Sequence, residues 1–206
     1  MLTPGLVGCG PQSATLLYWM GAGRFQQIEA EFKLSEGPLL ILVDDLDERL
    51  TWAPARDLIA EALAKELLDH GATKKVIALE TVQRFRRTHA DVDTLKCNQV
   101  GRLVGAEQVL WIEVQSFLAE ETVHDVSQAA ALAVTVRVIN PQETTDRTKV
   151  RLWPEQREGK PMAVQLNSNE VHTVKTQDRI AAELARKLAK DIAKLFYKHP
   201  AQEPEE

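Results

Sequence analysis

The stretch PLLILVDDL, Pro38 to Leu46, decides the fold. Its apolar residues run without a break from Leu39 to Val43 and then give way to acids. A strand with one wet face alternates polar and apolar residues, so this run reads as a central strand buried on both faces. Such a strand needs a covering helix, and TWAPARDLIAEALAKELLDHG, Thr51 to Gly71, supplies one. Leu58, Ile59, Ala62, Leu63 and Leu67 form a stripe at helical spacing, Pro54 suits the first helical position and Gly71 suits the stop.

Outward from this pair, the chain reads as a short strand from Lys75 to Leu79, a short helix from Thr81 to Thr88 and a further helix from Val92 to Val104. Strands follow at QVLWIEV, from Gln108, and ALAVTVRVI, from Ala131. In the second, Leu132, Val134, Val136 and Val138 alternate with Ala133, Thr135 and Arg137, which predicts one buried and one wetter face. TKVRLW (148–153) and MAVQL (162–166) are expected to continue an antiparallel meander. A long helix closes the chain, with Thr176 as N-cap, Pro200 beyond its end, and Ile180, Leu184, Leu188, Ile192 and Leu195 spaced by three and four.

The expected fold is α+β: a single mixed sheet with a central buried strand, an antiparallel meander and packed helices including a long C-terminal helix. With no internal repeat and no Pro, Gly or Ser-rich linker, residues 30–198 read as a single α+β domain. QEPEE at the end is acidic and Pro-containing, so 199–206 is expected to be a disordered acidic tail.

Composition narrows the function. The 206 residues carry a net charge of -5, which speaks against nucleic acid, because that binding rests on many Lys and Arg contacts to phosphate. Aromatic residues make up 5%, too few for a base-stacking platform. No apolar run approaches the roughly 18 residues of a spanning helix. Two cysteines, Cys9 and Cys97, form neither a disulfide framework nor a zinc pattern.

Cys9 closes the segment Leu6, Val7, Gly8, Cys9. This resembles the lipobox of bacterial lipoproteins, in which the cysteine is acylated and becomes the first mature residue. The resemblance implies that 1–9 is the remnant of a lipoprotein signal and anchor and that 10–29 is a tether. A secretory signal carries a basic n-region and about 7 to 15 apolar residues. Only MLTPGLVG precedes Cys9, so Met1 is expected to be an internal methionine of a longer reading frame. Leu16 to Met20, an apolar and aromatic cluster after the anchor, is expected to pack on the domain. Fully extended, a tether of about 20 residues reaches roughly 70 Å.

Two local patterns carry a second likeness: ILVDDL (Ile41 to Leu46) with the helix after it, and GRLVGAEQVLWIEV (Gly101 to Val114). Together they resemble the periplasmic α/β domain found in lipoprotein activators of penicillin-binding proteins, in the curli-secretion lipoprotein and in the N-terminal domain of the Tol translocation protein. The likeness spans roughly 38–196. It implies a membrane-attached interaction domain in the cell envelope, on the periplasmic side, held by its lipid anchor and binding an envelope protein it does not identify. Glu113 stands where such strands often carry glycine. The connection AEETVHDVS is too short for the membrane-spanning hairpin of a secretion channel.

Two rival readings stand beside it: a cytosolic binding domain whose Cys9 is unmodified, and a metal-dependent enzyme. Asp44, Asp45, Asp47 and Glu48 lie at the carboxyl end of the buried strand, where open α/β sheets place ligands, and clustered carboxylates suit Mg²⁺. No phosphate-cradling glycine loop follows, and no partner acid or base is identifiable. The five histidines are scattered without ligand spacing. Cys97 shares a helical face with Val100 and Val104, which marks it as a buried structural thiol. No cofactor is expected. Candidate interaction residues are Trp52, beside a proline at a helix start, and Arg84, Arg86 and Arg87 in QRFRRTH.

Overall fold

The computed structural model describes residues 27–45, 47–50, 52, 54–88, 96–119, 130–167, 170–171 and 176–201. Cys9, the Leu16 to Met20 cluster and the loop between the two long strands lie outside them. The chain divides into two units, 31–197 and the terminal stretches 1–30 with 198–206. Within the terminal unit, β1 (Gln27–Ile28) pairs antiparallel with β7 (His199–Pro200). The last residues of the expected tether and the first of the expected tail are therefore hydrogen-bonded strands.

The main unit is α+β with a mixed five-stranded sheet. β2 (Leu39–Asp44) pairs parallel with β3 (Gln108–Ala119), which pairs antiparallel with β4 (Ala130–Ile139). Leu39 to Val43 are all buried, as an unbroken apolar run requires. The odd and even members serve different cores. Leu39, Ile41 and Val43 join the core built with α1 (Ala55–Asp69) and α5 (Gln177–Ala193). Leu40 and Leu42 pack with Val82 of α2 (Leu79–Thr88) and Val100 of α3 (Cys97–Leu103).

The helical stripes are the predicted ones. Ile59, Leu63 and Leu67 of α1, and Ile180, Leu184, Leu188 and Ile192 of α5, are fully buried. Each such leucine or isoleucine contributes about 2–3 kcal/mol through lost apolar exposure. Gly71 ends α1 in the left-handed region at φ 65°. Gly101 lets α3 lie against the sheet: a Cβ there would stand 2.5 Å from Val109 Cγ2 and 2.8 Å from Pro141 Cβ.

Three details depart from the sequence expectation. Lys75 to Leu79 forms a single parallel bridge, Val76 to Leu39, because only the Lys75 carbonyl and Ile77 amide reach β2 before the chain turns into α2. Arg147–Val150 is a helical turn, α4, and β5 is only Arg151–Trp153. Asp146 draws the turn by accepting from the Thr148 amide at 2.9 Å. Finally, β5 and β6 (Lys160–Leu166) do not pair with each other. Both run antiparallel along the same edge of β4, β5 at Val138–Ile139 and β6 at Ala130–Val136. Pro154, joined by a cis bond to Trp153, has no amide for the ladder, and Gly159 at φ 87° returns the chain to it.

Candidate functional site

The acidic residues after β2 sit where the sequence places them, but each has its own partner. Asp45 is buried, and its two carboxylate oxygens accept the Arg49 amide at 2.8 Å and the Leu50 amide at 2.9 Å. It thereby holds the turn in which Glu48 adopts φ 51°. Asp47 is exposed and pairs with the Arg49 guanidinium. Glu48 is exposed at the rim. Among the described residues, no group of three or more His, Cys, Asp or Glu side chains is placed to hold a metal ion.

Asp44 looks onto the other face of the sheet, in register with Glu113 of β3. Burial pushes its carboxyl above the ordinary value of 3.8 and Glu113 adds to that. The Trp111 indole, Arg56 and Arg86 pull the other way. The Trp111 Nε1 is buried near this carboxyl without a hydrogen bond of ordinary geometry. Arg137 of β4 completes the group: Nη1 donates to Glu113 Oε2 at 2.8 Å, Nη2 donates to the Glu158 carbonyl at 2.6 Å, and the guanidinium lies 4.8 Å from the Trp111 ring centroid. Cys97 packs against the second core, and burial pushes its thiol up to about 11. It is protonated at neutral pH, the state of a structural thiol.

The candidate interaction residues divide. Arg84 and Arg87 are exposed on α2, whereas Arg86 turns inward and Nη2 donates to the Val43 carbonyl at 3.4 Å. Trp52 is half-buried at the entry to α1, where its carbonyl accepts the Ala55 amide at 3.0 Å. Arg86 meets Arg56, Asp57, Asp45, Glu48 and Leu50 around a polar cleft of about 470 Å³ at the carboxyl end of β2. Arg56 and Trp111 are not among the residues singled out from the sequence, and Arg137 enters there only as a polar member of the β4 alternation. One charge of each sign in consecutive apolar strands, Glu113 and Arg137, was the available signal for the sheet-face pair.

No family model and no curated protein matches the chain. Solved structures with a similar fold include lipoprotein GNA1162 from Neisseria meningitidis, at 14% identity, 76% of this chain, 96% of that chain and TM-score 0.40. A PelC dodecamer from Paraburkholderia phytofirmans aligns at 13% identity over 84% of this chain and 97% of its own, with TM-score 0.48. The LpoB C-terminal domain from Salmonella enterica aligns at 17% identity over 76% of this chain and 94% of its own, with TM-score 0.40. A lipoprotein thus stands among the structural neighbours. Identities of 13% to 17% leave function to this chain's own residues.

Proposed function

We propose that this chain is a non-enzymatic envelope lipoprotein, acylated at Cys9, whose α+β domain binds or scaffolds another envelope component on the periplasmic side of its membrane. The observation that carries the reading is Leu6-Val7-Gly8-Cys9, in which every position suits lipoprotein processing. Among the described residues, no helix is long and apolar enough to cross a membrane, so the reading assigns membrane attachment to the lipid. The remaining residues supply the interaction rather than chemistry. The Cys97 thiol is held protonated, Asp45 is spent on backbone amides, and Asp47 on Arg49.

The test is an intact mass and N-terminal peptide analysis of the protein made from its native locus in a host that processes lipoproteins. The expected product begins at an acylated Cys9. A mature chain carrying Cys9 as a free internal thiol overturns the reading.

A further inference from the structure

The polar cleft at the carboxyl end of β2 has a volume of about 470 Å³, within the roughly 300–1,000 Å³ of small-molecule sites. Two arginines from two different helices line it. Arg86 reaches it from α2, steered by its bond to the Val43 carbonyl. Arg56 lies in the first turn of α1, half-buried, and makes no hydrogen bond or ion pair with a described residue. A half-buried guanidinium has five donors to satisfy and cannot shed its charge.

Asp44, on the neighbouring sheet face, feels the charge of both arginines; the acids that line the cleft are committed elsewhere or stand at the margin. Both Asp45 oxygens hold backbone amides, and Asp57 Oδ2 accepts from Gln83 Nε2 at 2.8 Å. Glu48 remains as an exposed acceptor on the rim. Guanidinium groups inside favour a carboxylate or phosphate held in fork geometry, while Glu48, Asp45 and Asp57 repel an anion that carries nothing but negative charge. We propose that this cleft binds a small organic anion that also carries hydrogen-bond donors, its acidic group between Arg56 and Arg86 and its ammonium or hydroxyl groups toward Glu48. The site is independent of the anchor at Cys9 and of any protein partner.

Arginine side-chain resonances of the full chain report binding during titration with glycylglycine, which has a carboxylate and an ammonium, and with acetate, which has only the carboxylate. The expected result is saturable millimolar shifts at Arg56 and Arg86, with Arg84 unmoved and acetate at least about tenfold weaker. Arg56→Gln, with an unchanged melting temperature, is expected to weaken glycylglycine by at least about tenfold. Absence of saturable shifts overturns the site, as does an Arg56→Gln variant that binds like the parent. Equal affinity for acetate overturns the donor requirement.

Discussion

Arg137 Nη1 stands 2.8 Å from Glu113 Oε2, and the two side chains tie β4 to β3 diagonally across the sheet. Their side chains retain only 15% and 27% exposure. Removing one member strands the other charge in a half-dry place. Arg137→Met is therefore expected to cost about 1–2 kcal/mol, below the ~3–5 kcal/mol of a fully buried pair. Urea unfolding measures this, and pairing it with Glu113→Gln isolates the coupling. A double variant no more stable than the sum of the singles predicts, with coupling near zero, would refute the pair.

Asp45→Ala tests whether that carboxylate is structural. It leaves the Arg49 and Leu50 amides without their acceptor, at an expected cost of about 2 kcal/mol. Asp47→Ala, on an exposed surface pair, is expected to stay within about 0.5 kcal/mol. Equal effects in denaturant unfolding would contradict the assignment.

Asp44 makes stability depend on pH in a stated direction. Burial raises its folded value above 3.8, so between 3.8 and that value the folded chain binds more protons than the unfolded one. Its contribution is fully present below 3.8 and is lost as pH rises through the folded value. Asp44→Asn removes that loss, so its stability relative to the parent is expected to improve from acid to neutral pH. Urea midpoints of both proteins across the range decide it; a difference that does not move in favour of Asp44→Asn toward neutral pH counts against the shift.

Cys97 is expected to resist alkylation. With its thiol at about 11 and its side chain packed against the second core, iodoacetamide at mildly alkaline pH should label it at least about tenfold more slowly in the native chain than in urea. Mass spectrometry of the Cys97 peptide reads the rate. Equal labelling in both states would show an exposed, reactive thiol.

Gly159→Ala probes the return into β6. Any side chain there is strained at φ 87°, and a Cβ would stand 2.5 Å from Thr135 Cγ2 and 2.9 Å from Arg137 Nε. The expected cost is about 2 kcal/mol, with the Arg137 bond to Glu158 disturbed. Gly105→Ala is the useful contrast, since its φ of 76° is similarly strained but nothing lies within 4 Å of the added carbon. A larger loss at Gly105 than at Gly159 would discount the close approach.

Local pattern alone determined the elements: the unbroken run Leu39–Val43, the stripe from Ile59 to Leu67, the alternation from Leu132 to Val138 and the spacing from Ile180 to Ile192. Periods of 2 and 3.6 are properties of neighbouring residues, so a single chain displays them. Register and layer order were decided only by tertiary structure. Nothing local says that β5 and β6 share one edge of β4, that Arg137 meets Glu113, or that Arg86 turns toward Arg56 while Arg84 and Arg87 stay in solvent. Those meetings depend on which strand edges pair and which helix face is buried, and such choices are settled by the packing of the whole core.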